Sequence, residues 1–247
     1  MTESQDINDS YSIIIPYRDR QSHLEVMLPR LQEVFKDKQY EIIISEQNDN
    51  DVFQKNSLYN LAVLKSTGNI LVFHDVDYYP SDTVNYYTDK NTPLYPVKQV
   101  LFLNDSGELR DRKDVPLGYI NFHNDVGDHS GGVFVMHRSL FFNTNGLNPY
   151  YKGWGKEDDD TRDRLRLLGY KWKRNDEGLF YALYHEDNKP EDNDINFINN
   201  SILLYNLKNT LDWGYNDVTA DVEMYDAGDN IKWLKIKNFK YNEKIIN

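Results

Sequence analysis

Cysteine is absent from all 247 residues, which excludes disulfides and thiolate metal centres and suits a reducing compartment. No apolar run approaches membrane-spanning length. The N-terminus, MTESQDINDSY, has neither the basic nor the apolar region of a secretory leader. A soluble, cytoplasmic protein is the expectation. Positive charge is also scarce, with 28 Lys and Arg against 40 Asp and Glu, a net of −12. Such a surface repels nucleic acid and anionic lipid, yet it permits a local basic pocket for a nucleotide. Apolar residues reach only 39%, but 19 Tyr and 11 Phe supply large buried areas, so a folded chain is expected.

The length allows one large α/β domain. Ser12-Ile13-Ile14-Ile15-Pro16 reads as a strand covered on both faces, and Glu41-Ile42-Ile43-Ile44-Ser45 as a second. Between them, Leu24, Leu28, Leu31 and Phe35 recur at helical spacing, predicting a helix from Arg20 to Lys36 with a kink or late start at Pro29. Asn50 or Asp51 is a candidate cap for a helix reaching about Lys65, and Thr67-Gly68-Asn69 ends it. Ile70 to Phe73 is the third strand. This alternation predicts a doubly wound, mostly parallel sheet flanked by helices.

Ligands of such sheets bind beyond the carboxyl ends of the strands, where Arg18, Asp19, Arg20, Glu46, Gln47, Asn48, Asp75 and Asp77 fall. No GxGxxG or GxxxxGK[ST] follows the first strand, so a dinucleotide fingerprint and a P-loop are both missing. From Ser81 to Asp128 loops and short strands are expected. Gly131 to Met136 reads as a strand entered through a close backbone approach, and Glu157 to Leu168 as a helix capped by Gly169. The Asn-rich stretch near Asn188 to Asn200 reads as a mobile surface segment, and the tail as loops with short strands such as Ile231 to Leu234.

Asp75-Val76-Asp77 ends a buried strand, and two carboxylates there suit Mn²⁺ or Mg²⁺, the hard cations that neutralise a diphosphate leaving group. A solvated strand end would carry the same letters. Trp154-Gly155-Lys156-Glu157-Asp158-Asp159-Asp160 is more specific. Four acids at a helix start benefit from its dipole, and successive residues point about 100° apart, so they cannot all serve one face. An acidic capping turn is the plain alternative. Trp154, between two glycines, suits either stacking on a sugar or anchoring a turn. His185 is a lone histidine that is either a ligand or a surface residue.

Taken in order, these elements resemble the β-1,4-galactosyltransferase family. The matching residues are Ile13 to Arg20, Phe53-Gln54-Lys55-Asn56, Asp75-Val76-Asp77, Gly131-Gly132-Val133, Asn145-Gly146-Leu147, Trp154 to Asp160, and His185. The likeness spans Ser12 to about Val218. It implies a GT-A-type nucleotide-sugar fold in one domain, with a nucleotide-binding half over about 10–80, an acceptor and catalytic half over about 81–220, and an extension over 221–247.

It also implies an inverting transfer of Gal or GalNAc from a UDP donor to a glycan hydroxyl. Pro16, Arg18, Arg20, Phe53, Lys55, Asp75, Val76, Gly132 and Trp154 would line the donor site, Lys55 standing where the family has Arg. Asp77 and His185 would hold Mn²⁺ or Mg²⁺. Asp158 would be the general base, with Glu157 and Asp159 holding sugar hydroxyls, and Trp154, Gly155 and Asp159 at the acceptor. His129 stands where the family chooses between Gal and GalNAc. The family's further metal ligand falls on Ala182 or Leu183, neither of which binds a metal. Lack of cysteine and of an anchor points to a microbial or viral relative making a surface polysaccharide. A non-catalytic sugar-binding protein of the same fold is the rival reading, and a metal-dependent hydrolase a weaker one, since no HExxH exists.

Overall fold

The computed structural model describes residues 9–111, 131–185, 194–207 and 210–243. Its centre is β1 (Ser10–Tyr17), which runs parallel to both β2 (Gln39–Gln47) and β3 (Ile70–His74). Alternation along β1 sends Tyr11, Ile13 and Ile15 to one face, against Leu24, Met27, Leu31 and Phe35 of α1 (Gln21–Phe35). Ile14 faces the other way, among Leu58, Ala62 and Val63 of α2 (Lys55–Val63). Ile13, Ile14 and Ile15 are fully buried, as the unbroken apolar run predicts. Each such side chain contributes roughly 1.5–3 kcal/mol relative to an exposed one.

The sheet order is β10-β11-β2-β1-β3-β7-β5-β8. Here β5 is Leu94–Tyr95, β7 Val133–His137, β8 Lys173–Arg174, β10 Val218–Gly228 and β11 Ile231–Tyr241. β11 pairs with β2 in parallel, so the C-terminal residues complete the central sheet, and the strand expected around Ile231 to Leu234 is longer than the sequence suggests. A second sheet, β4-β9-β6, joins β4 (Tyr78–Pro80), β9 (Leu179–Ala182) and β6 (Gln99–Phe102).

Several local expectations need correction. α1 runs unbroken from Gln21 through Pro29, with no late start. Pro29 and Glu25 are both exposed, so the Glu25 carbonyl that loses its intrahelical donor can turn to water. Neither Asn50 nor Asp51 caps α2, which begins at Lys55 behind Gln54. Gln47 organises the intervening loop instead. Its amide donates to Asp49 Oδ1 at 2.8 Å, and its carbonyl accepts from Gln54 N at 2.9 Å. α3 (Arg138–Asn143), directly after β7, was not signalled by periodicity. α4 (Glu157–Leu167) ends beside Gly169 at φ +81°, as expected. Asn196 to Asn200 lie in a helix, α5 (Ile195–Leu207), while residues 188–193 of the same Asn-rich stretch lie outside the described residues.

Gly132 supplies the expected close approach. It sits at φ +86°, and a Cβ there would lie 2.4 Å from the Tyr78 ring. Gly107 has a similar φ of +82° with nothing within 4 Å. Denaturant titration is therefore expected to show Gly132→Ala costing about 2 kcal/mol or more, and Gly107→Ala about 1 kcal/mol. Equal costs would mean that Tyr78 yields without resistance.

Candidate active site

The carboxyl end of β1 delivers Arg18, whose guanidinium donates to the Asp51 carbonyl at 2.6 Å and lies 5.3 Å over the Phe53 ring. Asp19 takes a left-handed turn at φ 52°, and Arg20 caps α1 through its carbonyl, bonded by Leu24 N at 3.0 Å. Pro16 and Val76 are buried beside these turns, and the Gly132 carbonyl accepts from Asp75 N at 2.8 Å.

Lys55, at the first turn of α2, is the hub. Its ammonium lies 3.0 Å from Asp75, 3.7 Å from Glu157 and 3.8 Å from Asp158. Three carboxylates from β3's end and from α4's first turn thus converge on one cation. One turn along α2, Tyr59 donates its hydroxyl to Asp75 at 3.1 Å. Tyr59 is a site residue that sequence reasoning missed, although its i+4 spacing from Lys55 was legible. Burial drives the Asp75 carboxyl up to about 6, against the pull of Lys55 and with help from Asp77 and Asp158. Burial, then the charge of Asp158, pushes Glu157 up to about 7, and its Oε2 has no hydrogen-bond partner. Lys55 would lose affinity for its proton through burial, but Asp158 and Asp75 outweigh this and raise it.

The four acids of α4 divide as the helical turn requires. Asp160 is buried, pairs with Arg164 at 2.6 Å and accepts from the Tyr151 hydroxyl, a structural role. Asp159 points elsewhere, 2.9 Å from Arg162 and 3.6 Å from Lys156. Any acceptor hydroxyl at Asp159 therefore competes with two cations. Trp154 is half exposed and packs at 5.8 Å from Phe197 of α5. Asn200 of the same helix donates to the Lys152 and Gly155 carbonyls, both at 2.9 Å, and pins the Gly153-Trp154-Gly155 turn. Neither Phe197 nor Asn200 was signalled in advance, because an Asn-rich helix has no clear apolar stripe.

Asp77 and His185, far apart in sequence, meet with His185 Nε2 donating to Asp77 Oδ2 at 3.0 Å. The small sheet causes this, since β4 pairs antiparallel with β9 and sets Tyr78 opposite Ala182. Burial would raise Asp77, but the hydrogen bond and charge of His185 outweigh it and hold the carboxyl low. A carboxylate oxygen and an imidazole nitrogen at this spacing are donors that a divalent cation such as Mn²⁺ accepts, so the pair would suit one, which would displace the proton between them. Ala182 and Leu183 add no ligand, and among the described residues no group of three or more His, Asp or Glu is arranged to hold an ion. His129 lies outside the described residues.

Residues 4–90 match the family profile described as the N-terminal region of glycosyl transferase group 7. Residues 115–186 match that described as the N-terminal domain of galactosyltransferase. Together the matches cover more than half of the chain. β-1,4-Galactosyltransferase 4 of Cricetulus griseus is 31% identical over 187 residues, 72% of this chain and 49% of that relative. The Homo sapiens protein of the same name is 30% identical over 186 residues, with the same coverage of 72% and 49%. The chain thus spans about half the length of these relatives. Drosophila β-1,4-galactosyltransferase 7 has a similar fold: a mutant complexed with manganese, UDP-Gal and xylobiose superposes with a TM-score of 0.72 at 20% identity, covering 96% of this chain and 95% of that one. Its catalytic domain with xylobiose gives a TM-score of 0.68 at 21% identity, over the same 96% and 95%. The expected GT-A-type architecture is the one observed.

The raised Glu157 carboxyl has a consequence for stability. Between about pH 4.5 and 7 the folded chain keeps a proton that the unfolded chain has lost, so this group stabilises at low pH and loses that contribution as pH rises through 7. His74, pushed down to about 4 by burial, works in the opposite sense, so a variant is needed to isolate the effect. Metal-free Glu157→Gln is expected to melt at least about 2 °C above the unchanged protein at pH 8, with the gain shrinking by pH 5. A gain that is independent of pH would refute the assignment.

Proposed function

The chain belongs to the glycosyltransferase group 7 family, and from that membership we propose that it transfers galactose from UDP-galactose to a hydroxyl of an acceptor sugar. UDP-GalNAc is the alternative donor, and we assign inversion at the anomeric carbon. The observation that supports this reading is the Lys55 hub, which gathers Asp75, Glu157 and Asp158, together with the pairing of Asp77, two residues after Asp75, with His185.

Asp158 accepts the proton of the attacking hydroxyl, whose oxygen bonds to the anomeric carbon as the bond to UDP breaks. The departing charge lies toward Arg18 and Arg20, and Phe53, braced by Arg18, offers a face for the uracil. Asp77 and His185 are the residues to hold a divalent cation, Mn²⁺ first, which when bound neutralises the diphosphate. Glu157 and Asp159 hold sugar hydroxyls, and Trp154 covers the donor while forming one wall for the acceptor. The whole chain acts as one catalytic unit in this reading, nucleotide half first and acceptor half second.

A rival reading, a UDP-sugar-binding protein without turnover, draws support from Ala182 in place of a ligand and from Lys55 lying 3.8 Å from the base it would have to release. Transfer assays with UDP-Gal and UDP-GalNAc over a glycan acceptor panel, with and without EDTA, separate the two. Asp158→Asn is expected to lower transfer by about 10²–10⁴-fold while UDP binding survives. Loss of UDP binding in that variant would remove Asp158 from the base role.

A further inference from the structure

His23 lies in the first turns of α1, is nine-tenths buried, and belongs to no part of the site described so far. Its Nε2 lies 2.8 Å from the carbonyl oxygen of Tyr184, the residue immediately before His185. A carbonyl only accepts, so Nε2 is the donor here and Nδ1 is the ring's other nitrogen. That Nδ1 is buried with no hydrogen-bond partner. The ring also meets His185 edge-on, with centroids 6.2 Å apart and planes at 78°.

We infer that His23 is a positioning residue for the cation site: its Nε2–H fixes the Tyr184 carbonyl, and its ring edge fixes the plane of His185, so that the imidazole and the Asp77 carboxylate stay at ligand spacing. This rests on Asp77 and His185 being the ion-holding residues. Leu183 N donates to the Asp77 carbonyl at 2.8 Å, so the segment carrying His185 is tied on one side to Asp77 and on the other to α1. A ligand held from two directions loses little rotational freedom when it binds, and side chains supporting metal ligands typically contribute 10–100-fold in affinity. The contribution matters more where the described residues offer an ion two side chains, because Ala182 and Leu183 supply none.

Mn²⁺ uptake in the presence of UDP, followed by the electron paramagnetic resonance signal of free Mn²⁺, tests this in four proteins. His23→Leu is expected to weaken the Mn²⁺ Kd by about 10–100-fold. His23→Gln puts an amide N–H near the place of Nε2 and is expected to bind within about 3-fold of the unchanged protein. His23→Asn reaches only the place of Nδ1 and is expected to stay as weak as the leucine variant. Should the leucine variant fail to fold, the Gln and Asn pair carries the comparison, since both are polar and similar in size. Equal Mn²⁺ affinity for Gln and Asn, or an unaltered Kd in the leucine variant, would overturn the role of His23 alone. No Mn²⁺ uptake by the unchanged protein would overturn the cation site and this role together.

Discussion

The cation of Lys55 is what allows the acidic cluster around it to exist. Three carboxylates cannot converge in a partly buried space unless something offsets their repulsion and their lost hydration. Lys55 does so from α2, an element fixed by Asn56 and Asn60, whose side chains bond the Asn148 and Leu147 carbonyls. Even with the cation present, Asp75 and Glu157 remain reluctant to ionise. A lysine offers a point charge rather than a planar fork, so it can serve three oxygens from different directions at moderate distance.

Much of this was legible in the letters. β1, β2 and β3 follow from their isoleucine runs, and the carboxyl ends of those strands located Arg18 and Asp75. Other features were not readable, for physical reasons. The start of α2 depends on Gln47 reaching across its loop, a tertiary hydrogen bond that no helix propensity encodes. α5 carries little apolar contrast between its faces, so its pinning of the Trp154 turn through Asn200 could not be anticipated. Helical spacing showed that the four acids after Lys156 cannot all serve one face, but not which partner each one takes. Only packing shows that Asp160 serves Arg164, Asp159 serves Arg162, and the first two face Lys55.

The small second sheet does a different job from the large one. It adds Val100, Phe180 and Ala182 to the core on the α1 side, and its antiparallel ladder brings the turn after β3 beside the segment after β9. Two residues far apart in the chain are thereby set at hydrogen-bond distance, with Leu183 and Asp77 joined through the backbone as well. Main-chain pairing sets the two segments side by side, and the His23 ring packs against the His185 ring within that frame.

The parallel seat of β11 beside β2 sets an order for assembly. β2 presents an unpaired edge until Ile231 to Ile236 arrive, and Leu234 and Ile236 then become fully buried on the α2 side of the sheet. During synthesis β1, β2 and β3 emerge early but stay open on one flank until Ile231 to Ile236 follow them. A protein stalled before Ile231 would present a sticky strand, so such truncations should be met by chaperones and proteases rather than accumulate as a smaller folded protein.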